Sequence, residues 1–145
     1  MTDILTKDQI VAAGRATTRD DAIREAGDLL VSAGAVTPAY VDAMQEREQT
    51  VSTYMGNYLA IPHGTNESKA AIMRSAMSLV RYAEPIDWGR NEVRVVVGIA
   101  GLENEHLGIL AKIAVLFSDM AQAQQMADAT TVDELYRLLE AVNAE

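Results

Sequence analysis

The sequence contains no cysteine, and only two of its 145 residues are histidine. Without cysteine the chain forms no disulfide, carries no thiolate nucleophile and offers no thiolate to a metal. Because histidine is so scarce, any imidazole chemistry has to use His63, His106 or both. Lysine and arginine are also outnumbered, 12 against 21 aspartate and glutamate residues. The resulting net charge of −9 argues against nucleic acid or an anionic membrane as a partner.

The sequence also lacks long apolar runs and a recognisable targeting segment. Uninterrupted apolar stretches such as 95–97 are far too short to span a bilayer. The first residues, MTDILTKDQI, lack the basic segment and apolar core of a secretory signal. We therefore expect a cytoplasmic protein without direct membrane insertion. The length and the 49% hydrophobic content are typical of one globular domain, which we expect to span residues 1–145.

Strand-like and helix-like segments alternate along the chain. Strands are predicted over 58–61, 76–82 and 93–99. The last of these is β-branched and nearly continuous, which is typical of a central strand buried on both faces. Residues 9–13 form either a strand or a turn that ends at Gly14. Helical spacing and capping residues predict helices that begin after Thr18, after Thr37, at Thr65 or Asn66, at 104, near 120 and after Thr131. This alternation predicts an α/β domain in which helices cover a sheet.

Two residue patterns lead to expectations about packing. Pro85 is expected to end the strand over 76–82, because proline cannot donate a backbone hydrogen bond. The loop that follows, up to Arg90, would then carry Trp88, the only tryptophan. The segment 104–117 is apolar nearly all round, so we expect a mostly buried helix there.

His63 lies in the segment AIPHGT, between a predicted strand and a predicted helix. Pro62 fixes the backbone before the histidine, and Gly64 lets the chain turn after it. If a helix begins near Thr65, its N-terminal N–H groups would favour an anion beside the imidazole. A turn histidine without a role remains the alternative, because the motif is short.

His106 and Arg47 are the other two residues in unusual positions. His106 is expected in the first turn of the helix over 104–117, where the helix dipole favours a negative ligand and a neutral imidazole. The alternative is a histidine that bonds only to backbone. Arg47 falls on the apolar stripe formed by Tyr40 and Met44 in the second helix. An arginine there extends to solvent, pairs with an acid or contacts a ligand.

Motifs for several other reactions are missing. The sequence has no phosphate-binding loop of the Walker type, no GxGxxG segment after a strand and no GxSxG segment. The two histidines are not spaced as local zinc ligands. We therefore expect neither a metal nor another cofactor.

Three segments taken together resemble the mannitol/fructose class of phosphotransferase-system IIA domains. They are YLAIPHGT at 58–65, GIA at 98–100 and NEHL at 104–107. The likeness extends from 9 to 142, and it agrees best with the mannitol branch. Further matching segments are YVDAM at 40–44, RE at 47–48 and TTVDEL at 130–135.

The resemblance implies a fold, a reaction and a set of partners. The implied fold is α/β, a mixed parallel and antiparallel sheet flanked by helices. His63 would accept a phosphoryl group from HPr, with His106 beside it and Arg47 lining the same site as stabilising groups. Pro62, Gly64 and Thr65 would form the supporting loop and offer backbone or hydroxyl donors. The acceptor would be a cysteine of a IIB or IICB membrane permease component, so a chain without cysteine would be a free-standing IIA.

Other functions remain open from the sequence. A nitrogen-regulatory or fructose-type IIA would share these motifs, since the sugar binds elsewhere. An anion-binding regulatory module would use His63 without covalent chemistry. A metal-dependent hydrolase would need both histidines and further ligands.

Overall fold

The computed structural model describes residues 3–102 and 105–143, which fold into a sheet with helices on both faces. The strands of this described part are β1 (Ile10–Val11), β2 (Tyr54–Gly56), β3 (Leu59–Ala60), β4 (Ala76–Asp87) and β5 (Glu92–Ala100). The α-helices are α1 (Arg19–Ser32), α2 (Pro38–Thr50), α3 (Glu105–Leu116), α4 (Met120–Asp128) and α5 (Val132–Leu139). Short 3-10 helices cover Lys7–Gln9, Asn66–Ala71 and Glu140–Asn143.

The sheet is mixed, as predicted. The strand order is β1-β4-β5-β3-β2. β5 lies at the centre, antiparallel to β4 and parallel to β3. β1 is parallel to β4, and β2 is antiparallel to β3. Apart from its first residues, β5 is buried, which confirms the central strand expected over 93–99.

Alternate residues of β5 belong to two separate hydrophobic clusters. Val95, Val97 and Ile99 pack with the helices α3, α4 and α5. Val96 and Ala100 pack with α1 and α2 on the opposite face. Since successive strand residues point to opposite faces, a continuous apolar strand is what two helical layers require.

Most helix boundaries lie where the capping residues predict them. The Thr18 side chain accepts a hydrogen bond from the Asp21 N–H, and the Thr131 side chain accepts one from the Glu134 N–H. α1 ends at Ser32, and Gly34, two residues later, has a φ of 75°, the left-handed conformation that glycine tolerates best.

The prediction that Pro85 ends the second long strand is wrong. β4 continues to Asp87, and its pairing with β5 shifts register between Arg81 and Ile86. Pro85 lies within that irregular stretch and is exposed, so its missing N–H costs the sheet little. Trp88 follows directly and is 1% exposed, so it belongs to the core.

The prediction of a mostly buried helix over 104–117 is also wrong. Ile109 and Ile113 are the buried residues of α3, whereas Leu107 and Val115 are 69% and 70% exposed. A helix that packs with one side against the sheet buries only positions about one turn apart, whatever its composition. Asn104, the expected first residue, lies outside the described residues.

Two further features bear on the predictions. The helix expected to begin at Thr65 or Asn66 is a 3-10 helix, Asn66–Ala71.

In the part of the chain that the structure describes, we find no helix with both the length and the apolar content to cross a membrane.

Candidate active site

His63 lies just beyond the end of β3, where the chain still runs alongside β5. The Ile99 N–H donates to the Pro62 carbonyl at 3.0 Å, and His63 itself forms a parallel bridge with Ile99. The 3-10 helix begins three residues later. The histidine therefore stands on backbone that the central strand holds in place, between a strand and a helix as predicted.

The orientation of the His63 ring is fixed by a backbone carbonyl. Its Nδ1 lies 2.8 Å from the carbonyl oxygen of Ile61. Because a carbonyl oxygen only accepts hydrogen bonds, Nδ1 carries the hydrogen in this contact. In the neutral ring, Nε2 is then left with its lone pair, which makes it the nucleophilic atom.

His106 approaches His63 from the first turn of α3. The two ring centroids are 5.0 Å apart, and the ring planes are inclined by 58°. Gly101 makes this approach possible, because a Cβ there would lie 2.5 Å from the His106 Cα. The lack of a side chain at Gly101 therefore leaves room for His106.

Arg47 lies near the end of α2 and is half-buried beside the histidines. Its Nη1 donates to the Val51 carbonyl at 3.0 Å. Among the described residues no ion pair includes Arg47, so the alternative of pairing with a neighbouring acid is not the arrangement found. The guanidinium instead contributes positive charge near His63.

The three predicted residues line one open groove of about 650 Å³. Lys69 adds a second cation to its wall, and Glu46 and Glu67 add carboxylates. Thr65 also borders the groove, and among the described residues its side chain makes no capping hydrogen bond to the 3-10 helix. The groove thus combines two imidazoles and two cationic side chains with the threonine hydroxyls and the two carboxylates at its border.

The electrostatics of the groove favour neutral imidazoles. Burial lowers the pKa of His63 from its ordinary value of 6.5, and the Arg47 charge adds to this, while the hydrogen bond with Ile61 and the charge of Glu48 oppose it. Burial likewise lowers the pKa of His106, with smaller contributions from His63 and Lys69. Both rings are therefore predominantly uncharged near pH 7.

Sequence reasoning missed one polar group at this site, the hydroxyl of Tyr40. Tyr40 is 3% exposed, accepts a hydrogen bond from the Gly64 N–H at 2.9 Å and donates one to the Ile99 carbonyl at 2.7 Å. The signal available was its place on the α2 stripe, seven residues before Arg47. We interpreted that stripe as apolar packing, and the hydroxyl was not considered.

The same contact changes the expectation for the loop after His63. The Gly64 N–H was expected to be a donor for a ligand, but it donates to Tyr40. Gly64 is also needed for packing, since a Cβ there would lie 2.5 Å from both the Tyr40 ring and the Ser68 Oγ. The dipole of a single 3-10 helix adds little. The Thr65 hydroxyl, which borders the groove, remains a candidate donor from this loop.

We examined the described residues for a metal-binding arrangement and found no group of three or more His, Cys, Asp or Glu side chains placed to hold an ion.

Comparison with known proteins identifies the family. A model described as "Phosphoenolpyruvate-dependent sugar phosphotransferase system, EIIA 2" matches residues 3–142. The chain belongs to this family. The IIA chain is 46% identical over 140 residues to the "Mannitol-specific phosphotransferase enzyme IIA component" of Halalkalibacterium halodurans, and the match covers 97% of each protein.

Solved structures of related proteins share the fold of the IIA chain. The crystal structure of IIA mannitol from Escherichia coli is similar with a TM-score of 0.87 and 36% identity, covering 93% of this chain and 98% of that one. The complex of enzyme IIAMTL with phosphorylated enzyme IIBMTL from Escherichia coli contains a chain with a TM-score of 0.88 and 34% identity. That match covers 94% of the IIA chain and 97% of the solved chain.

These matches confirm the resemblance and the fold predicted from the sequence. The IIA chain is a component of the phosphotransferase system, in which its family carries phosphoryl groups.

Proposed function

We propose that this IIA chain carries a phosphoryl group on Nε2 of His63, between phosphorylated HPr and the cysteine of a mannitol-type IIB or IICB component. The carried group would serve the coupled uptake and phosphorylation of mannitol. The observation that carries the proposal is the contact between His63 Nδ1 and the Ile61 carbonyl, which leaves Nε2 as the nucleophile. The name of the Halalkalibacterium relative supports mannitol, and the Escherichia coli complex supports a IIB partner.

The first transfer is an in-line substitution at phosphorus. The lone pair of neutral His63 Nε2 forms the new P–N bond while the P–N bond to the HPr histidine breaks, and the HPr imidazole leaves with that electron pair. The positive charge that develops on the His63 ring is stabilised through Nδ1–H, which donates to the Ile61 carbonyl. No proton has to leave Nε2, because its lone pair is free at the outset.

The groove supplies charge for the three equatorial oxygens. Phosphoryl transfer asks a protein mainly for positioning and for donors around those oxygens. We assign these roles to a His106 N–H, to the Arg47 guanidinium and to the Thr65 hydroxyl, all of which border the groove. A neutral His106 keeps a donor beside His63 without repelling the imidazolium that forms there.

The second transfer reverses the roles. A thiolate of the IIB component attacks phosphorus, and His63 leaves as neutral imidazole, which is a fair leaving group near pH 7. The acceptor thiolate lies outside these 145 residues, because they include no cysteine. We therefore propose that the phosphoryl group passes to a IIB or IICB component outside this domain, in the reducing cytoplasm where thiols persist.

The test is to incubate the protein with phosphoenolpyruvate, Enzyme I and HPr, and then to measure its intact mass for a transferred phosphoryl group. The wild-type chain should gain one acid-labile phosphoryl group, and His63→Ala should gain none. His106→Ala should be slowed about 10²–10³-fold, the usual effect of removing one donor to a developing charge. An unphosphorylated wild-type chain beside fully charged HPr would refute the proposal, as would phosphate on His63→Ala.

A further inference from the structure

Tyr40 connects the two chain segments that carry the histidines. Its hydroxyl accepts from the N–H of Gly64, the residue after His63, at 2.9 Å. The same hydroxyl donates to the carbonyl of Ile99 at 2.7 Å, near the end of β5. Only two residues beyond Ile99, Gly101 packs directly against His106.

We propose that Tyr40 is a positioning residue for phosphoryl transfer, whose hydroxyl fixes the His63 segment against the strand end that leads to His106. The proposal rests on the carrier function proposed above. Tyr40 does not touch the reacting atoms. It acts through Gly64 and Ile99, which hold the two imidazoles at their present separation.

Without the hydroxyl, the His63 segment would be fixed to β5 from one side only. Ile99 also donates its own N–H to the Pro62 carbonyl, so the residues before and after His63 are both tied to the same residue of β5. Loss of the tyrosine hydroxyl removes the second tie and leaves the Gly64 N–H and Ile99 carbonyl without this partner. A displacement of about 1 Å at a reacting group can slow an enzyme about 10²-fold, so such a tie matters for rate.

The protein contains a matched control for a buried tyrosine hydroxyl. Tyr82 is 2% exposed and donates to the Glu25 carboxylate at 2.7 Å, away from the groove. Both Tyr40→Phe and Tyr82→Phe remove one oxygen from a buried ring. A purely structural role for Tyr40 predicts that the two variants behave alike in transfer.

The first experiment measures the rate of phosphoryl transfer from HPr to each variant. We expect Tyr40→Phe to be slowed at least about tenfold and Tyr82→Phe to stay within about twofold of wild type. Transfer by Tyr40→Phe at the wild-type rate, or no slower than Tyr82→Phe, would overturn the proposal.

The second experiment follows the unphosphorylated proteins by NMR and does not depend on the carrier function. The pKa of His63, which burial lowers, should move back toward 6.5 in Tyr40→Phe and stay unchanged in Tyr82→Phe. An unchanged pKa in Tyr40→Phe would overturn the positioning role even if the wild type never accepts phosphate.

Hydrogen exchange of the Gly64 amide provides a measurement on the wild-type chain alone. Because this amide donates to a buried hydroxyl, we expect it to exchange slowly, although it lies in a loop. Free exchange of the Gly64 amide in the wild type would remove the contact on which the proposal depends, whether or not Tyr40→Phe folds.

Discussion

The choice between the two nitrogens of His63 depends on a backbone atom. The Ile61 carbonyl orients Nδ1, so the reactive nitrogen does not depend on a neighbouring side chain that could titrate. Burial keeps the pKa of both imidazoles below its ordinary value, and the Arg47 charge lowers the pKa of His63 further. The site is thereby kept in its nucleophilic form without a general base.

The lowered pKa values predict how transfer responds to acid. Neutral His63 is the reactive form, so the rate should persist as the pH falls through 6.5 and decline only at the lower pKa of the folded protein. The measurement is single-turnover transfer from preformed phospho-HPr, from about pH 5 to pH 8. A decline centred at or above pH 6.5 would contradict the prediction.

The same shifts predict a change in stability. A histidine whose folded pKa is depressed contributes stability that is present above its unfolded pKa of 6.5 and is lost as the pH falls through the folded pKa. Urea unfolding of the double variant His63→Gln, His106→Gln should therefore show a weaker loss of stability below pH 6.5 than wild type. Equal losses would contradict this account.

Arg47 should affect rate and not stability. Among the described residues its guanidinium makes one hydrogen bond, a solvent-exposed one to the Val51 carbonyl, so Arg47→Gln should unfold close to the wild-type urea midpoint. Transfer should slow about 10²-fold, because one positive donor to the phosphoryl oxygens is lost. Arg19→Gln, which removes an exposed arginine paired with Asp20 on α1, is the control and should leave the rate unchanged.

At the level of the helices, two threonines that both precede a predicted helix differ in their capping hydrogen bonds. Thr18 accepts the Asp21 N–H at the start of α1, whereas the side chain of Thr37 makes no capping bond at the start of α2. Thr18→Ala should cost about 1 kcal/mol of unfolding free energy, and Thr37→Ala clearly less. Chemical denaturation of the two variants decides this, and equal losses would show that the cap bond is not the cause.

Local patterns predicted the elements better than their packing. Capping residues and spacing placed the helices, and the continuous run over 93–99 correctly indicated the central strand. The end of β4 was missed, because proline is tolerated where the register shifts. The exposure of α3 was missed, because a segment's composition does not say how many of its sides meet the sheet.

The part of the candidate site that lies in one short sequence motif was predictable from the sequence. His63 and its loop stand in one segment, and the family resemblance added His106 and Arg47 to the same site. The Tyr40 contacts were not predictable, because they join residues 24 and 59 positions apart in the chain. Such contacts depend on how α2 lies across the finished sheet.

In the molecule as a whole, one buried carboxylate joins the end of α2 and the segment after it to a distant part of the chain. Glu48 on α2 is 4% exposed and accepts from the Thr53 N–H, the Thr53 hydroxyl and the Trp88 indole. It therefore connects the α2 end, the approach to β2 and the β4–β5 connection. Oε2 accepts from the two N–H groups and Oε1 from the Thr53 hydroxyl, so an amide would replace a charged acceptor by a neutral one and would force the hydroxyl to accept.

Glu48→Gln should lower the unfolding free energy by about 1–2 kcal/mol, because hydrogen bonds to a charged acceptor contribute more than hydrogen bonds to a neutral one. Urea unfolding followed by Trp88 fluorescence measures this directly, since the indole is one of the donors. Glu46→Gln, an exposed neighbour on the same helix, is the control and should change the midpoint little. Equal effects of the two substitutions would contradict the role given to Glu48.

The parallel pairing of β3 with β5 has a consequence for refolding. The pairing that holds His63 joins β3 to β5, and the whole of β4 lies between these two strands in the chain. Such distant strand pairings form slowly compared with helices and hairpins. A refolding chain can therefore regain its helical signal well before it can take up phosphate. The moment at which transfer activity returns would mark the completion of this strand pairing in a stopped-flow experiment.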